Sequence, residues 1–365
     1  MSILDKNESK DSFSGGIYFF YSFDIGDDID LKNVYNSYAF AKKGMVNSQF
    51  FRGYNKPMVL DISQLELSEY CQSAYLYNFG AISLRYYFPF DTSLEILRKF
   101  INNCNEICSK KSIDDTRIIF NLIKNCIRQP RFFNLNESYA LIQVNTKEEI
   151  NPYKFKEDYG NEIAPVLRFE TEHLSEYQKN EILDDAFGYY RGDLLIIDRN
   201  SALVYDKEYE DILDIFEFAN IRNMELQYFD KALDKQLNFV YERQAYKIPL
   251  KAYLPLLGMF KFDPIGELAK LRVDISVVSE RLWSSIKFSG DPYYLEIYKI
   301  VSTKMDFESW QNSIDKKLEV IRHILEVHEH RVSSIRYDVL NVLILILILI
   351  EVVFAIINYL KNIGH

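Results

Sequence analysis

Residues 339–360 read VLNVLILILILIEVVFAIINYL, a stretch in which polar side chains are almost absent. Before residue 358 only Asn341 and Glu351 are polar, and residues 342–350 are aliphatic throughout. A helix rises 1.5 Å per residue, so about 20 such residues cross a bilayer core roughly 30 Å thick. A buried core helix with nine consecutive branched aliphatic residues and no polar face would be unusual, and a lone strand cannot satisfy its backbone in lipid. The stretch therefore predicts one transmembrane helix over residues 339–360.

The segment before this span has the pattern of a long amphipathic helix. Asp306 can cap its N-terminus, and neither proline nor glycine follows until Gly364. Apolar residues recur at the three- and four-residue spacing of a helix that buries one stripe. They are Trp310, Ile314, Leu318, Ile321, Leu325, Val332 and Ile335. We predict a stalk helix over residues 306–338 that continues unbroken into the membrane, and the heptad continuation of its stripe favours a coiled coil between copies.

Residues 325–354, LEVHEHRVSSIRYDVLNVLILILILIEVVF, resemble the C-terminal signature of the "required for meiotic nuclear division" family, long catalogued as a domain of unknown function. That signature has a basic helix, a leucine with a polar neighbour, an aliphatic run and a glutamate inside the membrane. Leu340, Asn341 and Glu351 occupy those positions, although the family more often has Glu-Trp where this chain has Asn341-Val342. The resemblance implies a C-terminally anchored membrane protein, and it supplies no catalytic residues.

Composition and charge limit the classes to which the protein can belong. Hydrophobic residues make up 48% of the 365 residues and charged residues 26%, globular values that exclude widespread disorder. A net charge of −10 argues against nucleic acid as the main partner, because phosphate binding needs clustered lysine and arginine. The first residues resemble neither a signal peptide nor a presequence, and Arg331 and Arg336 precede the span while Lys361 follows it. We expect a single-pass protein with a cytoplasmic body and four free thiols.

The rest of the chain divides by the pattern of its sequence. Residues 1–16 predict a flexible tail, residues 17–206 an α+β domain and residues 207–305 a helical hairpin region. In the α+β domain the strand and helix patterns interleave without a regular βαβ order, which favours a mixed, largely antiparallel sheet with a ferredoxin-like arrangement. The local patterns are strands at 17–23 and 80–90, helices at 94–108 and 113–127, a polar joint at 147–160 and a β-hairpin at 194–205.

The histidines on the stalk do not form the pattern of a metal site. His328 and His330 point about 200° apart around a helix, so they cannot hold one ion together. The chain has no His-Glu-x-x-His, no Gly-x-Ser-x-Gly and no glycine-rich phosphate loop. We therefore predict no metal, cofactor or catalytic site. The charged stalk residues instead predict a membrane-proximal basic face, made of Arg322, His323, His330, Arg331 and Arg336.

Two further groups of residues leave alternatives open. An acidic cluster could hold a cation, although acidic loops are usually only solvated; it consists of Asp24, Asp27, Asp28 and Asp30. Three cysteines could supply zinc ligands, but no Cys-x-x-Cys is present, and buried thiols in the core are the preferred interpretation. These cysteines are Cys104, Cys108 and Cys126.

Glu351 places a carboxyl group inside the apolar span. An acid at the centre of a membrane helix costs about 2.5–3.5 kcal/mol on insertion scales, so it needs a partner. A single span with one acid makes a poor proton path in a monomer. We predict instead that Glu351 and Asn341 contact a neighbouring membrane helix.

These features predict a non-enzymatic, membrane-anchored scaffold or regulatory protein that forms a homo-oligomer and positions an unknown protein partner at the membrane. One alternative is a subunit of a metal-ion channel or transporter with a cytoplasmic α/β domain, although the two spans and Gly-Met-Asn signature of one magnesium-channel class are missing. Another alternative is a membrane-tethered enzyme, which would need a polar cleft in the α+β domain.

Overall fold

The computed structural model describes residues 12–43, 56–132, 136–147, 151–184, 186–188, 192–207, 209–242 and 292–363, with a few positions between 266 and 275. The chain divides into two compact units. One consists of residues 1–229 with 277–311, and the other of residues 230–276 with 312–365.

The first unit contains a mixed β-sheet. Its strands are β1 (Phe13–Asp24), β3 (Met58–Val59), β4 (Cys71–Leu76), β5 (Ala81–Thr92), β7 (Asn136–Val144), β8 (Leu194–Ile197) and β9 (Ser201–Tyr205). They form one seven-stranded sheet in the order β3-β4-β5-β1-β7-β9-β8. Neighbouring strands are antiparallel except β7 and β9, which are parallel. A short separate pair joins β2 (Asp28–Ile29) to β6 (Ile127–Arg128). The predicted α+β class is confirmed.

Several α-helices accompany these strands. They are α1 (Leu31–Ser37), α2 (Leu94–Ile123), α3 (Pro152–Arg168), α4 (Glu176–Leu183), α5 (Glu210–Glu242), α6 (Pro292–Lys304) and α7 (Phe307–Ile363). Local sequence explains where several begin. The Asn151 side chain accepts a hydrogen bond of 2.8 Å from the Lys154 amide at the start of α3, and Pro152 occupies the first turn, where no amide is needed. Ser93 and Ser175 cap α2 and α4 in the same way.

Strand β1 lies at the centre of the sheet and pairs along its length with β5 on one side and β7 on the other. Because it is covered on both faces, it is an almost continuous apolar and aromatic run rather than an alternating one. Both neighbours are antiparallel to β1, so β5 and β7 run in the same direction and are connected through α2. This is the split βαβ unit found in ferredoxin-like folds, set here within a larger seven-stranded sheet.

The two faces of the sheet bury different kinds of residue. Alternate side chains of β1, such as Phe19 and Tyr21, join the apolar core formed with α2 and α3. The intervening side chains, such as Tyr18 and Ser22, face the first part of α5, where the Tyr18 and Tyr209 hydroxyls are 3.0 Å apart. A three-layer arrangement results, in which one sheet face carries apolar, largely aromatic packing and the other carries polar groups.

Three local predictions from the sequence are wrong. Helices expected at 94–108 and 113–127 form the single helix α2, because residues 109–112 contain no proline or glycine. The expected joint at 147–160 lies mostly in α3, where Pro152 begins the helix instead of breaking it. The strand expected at 80–90 continues past Pro89 to Thr92. Pro89 lies beyond the last pairing of β5 with β4, so the amide N–H that proline lacks would have no partner on the β4 side.

The predicted tail at residues 1–16 also ends earlier than expected, since β1 begins at Phe13. Two glycines allow this, because the neighbouring strands leave no room for a side chain. A Cβ atom on Gly15 would lie 2.0 Å from the Gln143 carbonyl oxygen, and one on Gly16 would lie 2.4 Å from the Tyr87 ring. Residues 1–11 lie outside the described residues.

The second unit contains the later part of α5 and nearly all of α7. Helix α7 is 57 residues long and unbroken, as the sequence predicts for the stalk and span together. Asp306 directly precedes it, with a backbone φ of 58°. Within this unit Lys317 Nζ lies 2.7 Å from both Asp230 and Asp234, and Ile314 and Ile321 are buried. Most of the other predicted helix of the hairpin region, residues 264–286, lies outside the described residues.

Candidate functional site

The most apolar segment of α7 is Tyr337–Asn358, with a mean hydropathy of 3.1 over its 22 residues. None of its most apolar window is buried against the protein, and each large side chain from Val342 to Ile357 is exposed. A soluble protein would leave these aliphatic groups in water, at a cost of about 25 cal/mol per Å². Among the described residues this is the one helix long and apolar enough to cross a membrane.

Asn341 and Glu351 both lie on the surface of this apolar segment. They are ten residues apart, which places them about 80° apart around the helix axis. The two polar groups therefore do not share one narrow stripe. A single flanking helix could reach both of them only if it covered a broad face.

The predicted basic face of the stalk is partly neutralised by acids on the same helix. Arg322 Nη2 lies 3.1 Å from Glu319 Oε1, and its Nη1 lies 3.4 Å from Glu326 Oε1. His323 approaches the same two carboxylates at 3.9 and 3.6 Å. His330 and Arg331 are exposed further along, while the Arg336 side chain lies outside the described residues. The stalk surface is thus of mixed charge around Arg322.

The first unit contains a buried ion network that the sequence analysis missed. Arg85, in the middle of β5, donates to Asp214 at 3.0 Å and to Glu217, both on α5. Ser83 Oγ donates to the other oxygen of Glu217 at 2.6 Å. The Arg85 guanidinium also lies 5.4 Å from the centroid of the Phe20 ring. Burial raises the pKa of Asp214, while Arg85 opposes that shift.

A second network joins the end of β1 to α5. Arg131 Nε and Nη2 each donate at 3.0 Å to Asp24, and Nη1 donates to Asp27. Glu225 on α5 is 1% exposed, and burial raises its pKa well above the ordinary range, with the nearby Asp24 carboxylate as a further cause. Burial also raises the pKa of Asp24 to about 6, against the opposing effect of Arg131.

This second network accounts for two members of the predicted acidic cluster. Asp24 and Asp27 bind the Arg131 guanidinium, so these carboxylates serve an ion pair and not a cation site. This ion pair could not be predicted from local sequence, because Arg131 follows Asp24 by 107 residues. Among the residues that the structure describes, no group of three or more histidine, cysteine or acidic side chains is placed to hold a metal ion.

All four cysteines are free and buried. Burial raises the pKa of the Cys71 and Cys104 thiols to about 12. Since the thiolate is the nucleophile and the metal ligand, such thiols are poor at both roles near neutral pH. The expected core position of Cys104, Cys108 and Cys126 agrees with their burial.

A polar cavity of about 260 Å³ lies in the first unit, beside β7 and α5. Its lining is mainly polar and is formed by Glu137, Arg199, Asn200, Asn223, Gln227, Met305 and Trp310. Arg199 and Asn200 belong to the turn between β8 and β9, the hairpin that the sequence predicts. The Asn223 amide nitrogen donates to Glu137 Oε2 at 3.3 Å, and its Oδ1 is buried without a hydrogen-bond partner.

The comparisons with known proteins concern mainly this first unit. The family described as "Uncharacterized protein MJ0711, N-terminal domain" matches residues 14–211, more than half of the chain. The chain belongs to this family. The match covers the whole sheet except the first residue of β1, and it ends at the start of α5.

A curated relative carries the same description. Uncharacterized protein MJ0711 of Methanocaldococcus jannaschii is 26% identical over 222 residues, which cover 60% of this chain and 66% of the relative. No solved structure matches the chain. The family match ends before residues 325–354, so the resemblance of that segment to the meiotic nuclear division family stays a prediction.

Proposed function

We propose that this protein is a membrane-anchored scaffold or regulatory protein, which self-associates and positions a protein partner at the membrane. The observation that carries the proposal is helix α7, in which the apolar segment Tyr337–Asn358 continues directly from the stalk. A continuous helix transmits position and orientation, whereas a flexible linker lets its ends move independently. An anchor of this kind therefore suits a protein that holds a partner at a fixed position and orientation relative to the membrane.

The orientation that we propose puts the folded body in the cytoplasm. Arg331 is exposed on the stalk a few residues before the apolar segment, and Arg336 is closer still in sequence. An excess of arginine and lysine on one side of a span favours the cytoplasmic side. The resemblance of residues 325–354 to the meiotic nuclear division family supports the same C-terminal anchor.

Self-association is supported by the polar groups within the apolar segment. Glu351 and Asn341 are exposed on α7, so in a bilayer they need a second helix or the lipid itself as their surroundings. The described residues offer one candidate span, and in our proposal the neighbouring helix comes from another copy of the chain.

Alkaline extraction of membranes from cells that express the full chain tests the anchor. The wild-type chain should stay in the membrane pellet. The double variant Ile344→Arg/Leu347→Arg adds two charges at the centre of the span, at a cost of about 5–7 kcal/mol, and should be released. The matched control is Val320→Arg/Val327→Arg on the exposed stalk surface, which should stay in the pellet. Release of the wild-type chain, or equal retention of both variants, contradicts an anchor at this segment.

Protease treatment of sealed vesicles tests the orientation. The body should be protected in right-side-out vesicles and cut in inverted ones. The reverse pattern would leave an anchored protein with the opposite topology. Oligomer mass in detergent tests self-association separately, because a monomer of about 43.2 kDa alone would contradict it.

A further inference from the structure

The polar cavity beside β7 and α5 has groups of both charges in its lining. Arg199 lies in the turn between β8 and β9, and it has no hydrogen-bond or ion-pair partner among the described residues. Glu137 brings a carboxylate from β7. A simple anion would be repelled by the carboxylate, and a simple cation by the guanidinium. A small molecule that carries both charges would be complementary to both groups.

The amide side chains extend this complementarity. The Asn223 amide nitrogen donates to Glu137. The buried Asn223 Oδ1 is then an acceptor without a donor among the described residues. An ammonium group has three donors and no acceptor, so it suits a site made of the Glu137 carboxylate and Asn223 Oδ1. A carboxylate suits Arg199 together with an amide N–H such as that of Gln227.

The framework around these groups is fixed by hydrogen bonds. Asn220, one turn before Asn223 on α5, donates from its amide nitrogen to Ser22 Oγ at 2.9 Å and to the Glu137 carbonyl at 3.2 Å. The Asn200 carbonyl accepts a bond of 3.1 Å from the Ala140 amide of β7. The acceptor and donor sides of the cavity are therefore both attached to the same strand, which limits how far apart they can move.

Size and the remaining lining narrow the class of ligand. The volume of about 260 Å³ is below the roughly 300 Å³ at which ordinary small-molecule pockets begin. Met305 and Trp310 supply the apolar part of the lining. We propose that this cavity binds a free α-amino acid, whose ammonium group contacts Glu137 and Asn223 and whose carboxylate contacts Arg199, with Met305 and Trp310 beside its side chain. This proposal does not depend on the membrane anchor.

Tryptophan fluorescence of the full chain in detergent provides a direct measurement. The sequence contains two tryptophans, so Trp283→Phe leaves Trp310, in the cavity lining, as the sole reporter. The probes are L-leucine, L-methionine and L-phenylalanine at up to millimolar concentration. The comparison probes are the carboxylic acid that results from removing the amino group of leucine, and the amine that results from removing its carboxylate.

We expect saturable fluorescence changes with at least one of the amino acids and none with the acid or the amine. Arg199→Gln should weaken binding by roughly ten- to a hundredfold, the range expected for a lost charge-assisted hydrogen bond. Arg128→Gln is the matched control, because Arg128 is exposed and does not line the cavity; it should bind as the wild type does.

Glu137→Gln separates ligand recognition from a structural effect. The variant should bind the amino acid more weakly than the wild type does. It should also discriminate less between the amino acid and the leucine-derived acid, because the Glu137 carboxylate no longer repels the carboxylate of that acid. If the substitution only disrupted the structure of the cavity, the variant would bind neither the amino acid nor the leucine-derived acid. The proposal is overturned if none of the three amino acids binds saturably, if Arg199→Gln binds as tightly as the wild type, or if Arg128→Gln weakens binding equally.

Discussion

Arg131 binds Asp24 through a two-point ion pair, with Nε and Nη2 each 3.0 Å from a different carboxylate oxygen. The pair joins the end of the central strand to the segment after β6, 107 residues later. Glu225 approaches this pair from α5 and is as deeply buried as Asp24. The Arg131 guanidinium pairs with Asp24 and Asp27, whereas Glu225 is within electrostatic range of Asp24 and Arg131, so ionisation of Glu225 would add buried negative charge beside that pair.

This arrangement predicts a pH-dependent stability. Folding raises the pKa of Asp24 from 3.8 to about 6, and it raises the pKa of Glu225 well above 4.5, so the folded protein holds protons that the unfolded chain releases. The stabilising contribution is full below the unfolded pKa values and is lost as the pH rises through the folded ones. The thermal midpoint of the full chain in detergent should therefore fall, through this network, as the pH rises from about 4 to about 8.

Glu225→Gln isolates that contribution. Glutamine keeps the shape of a protonated glutamate but cannot release a proton, so the dependence of the midpoint on pH should become flatter above pH 6. Glu210→Gln, an exposed acid on the same helix, is the control and should keep the wild-type slope. Identical slopes for the wild type and Glu225→Gln would show that Glu225 does not hold a proton in the folded protein.

Removing Arg85 should destabilise the first unit strongly. Arg85→Met leaves the 2% exposed Glu217 without its cation, and breaking a buried ion pair in this way costs about 3–5 kcal/mol. Arg322→Met is the matched substitution at an exposed pair on the stalk, where we expect a loss of about 1 kcal/mol or less. Denaturant unfolding monitored by circular dichroism measures both, and equal losses would contradict a special role for the buried network.

Gly80 should tolerate no side chain. Its φ is +103°, and a Cβ atom there would lie 1.8 Å from the Gly26 carbonyl oxygen, so the loop after β1 cannot keep its position against the turn between β4 and β5. Gly80→Ala should cost about 1–3 kcal/mol or more. Gly192→Ala is the control, because a Cβ atom there meets nothing within 4 Å. A neutral Gly80→Ala variant would show that this turn can rearrange freely.

The parts of the fold that follow from local sequence were predictable, and those that depend on distant partners were not. The unbroken α7, the hairpin of β8 and β9 and the α+β class each rest on periodicity or turn residues within one short segment. The Arg85–Glu217 pair joins residues 132 positions apart, and nothing in either segment indicates the other. Arg85 lies in a strand of largely apolar residues, so a charge at this position indicates a polar partner without identifying it.

The candidate sites also differ in whether one short segment of sequence indicates them. Glu351 was identifiable because a single charged residue interrupts an apolar run. The cavity near Trp310 was not, since its lining comes from β7, the hairpin turn, α5 and the segment around α6 and α7. Individually these residues have no sequence pattern that indicates a shared site. Only the topology, which places β7 beside β9, brings Glu137 and Arg199 to one cavity.

Truncation after Tyr337 should give a soluble, folded protein. It removes nearly all of the exposed apolar segment but keeps Lys317 with its contacts to Asp230 and Asp234, and keeps the buried residues Ile314 and Ile321. The truncated chain should elute as a single species without detergent and unfold cooperatively. Aggregation of the truncated chain, with the full chain well behaved in detergent, would mean that the stalk stripe is covered mainly by other copies.

The membrane helices need a contact other than close backbone packing to hold them together. The span contains no glycine and only Ala355 as a small residue, so a close Gly-x-x-x-Gly approach is not available. Continuing the stalk stripe as a heptad gives a seam through Val339, Val342, Ile346, Leu349 and Val353, with Glu351 on the opposite face. Glu351 therefore needs a second helix neighbour, since exposure to lipid costs more.

Substitutions at Glu351 test that second contact. Interhelical hydrogen bonds in membranes contribute around 0.6–2 kcal/mol, which shifts a weak association several-fold. Glu351→Gln should keep the oligomer, because the amide can still donate, while Glu351→Leu should weaken it by that amount. Leu345→Gln is a useful control, because it adds an amide to the same apolar segment about 120° away from Glu351 around the helix, and it should not replace the Glu351 contact. The oligomer populations are measured by crosslinking in detergent and in bilayers. Equal populations for the wild type and Glu351→Leu in both media would show that Glu351 makes no such contact.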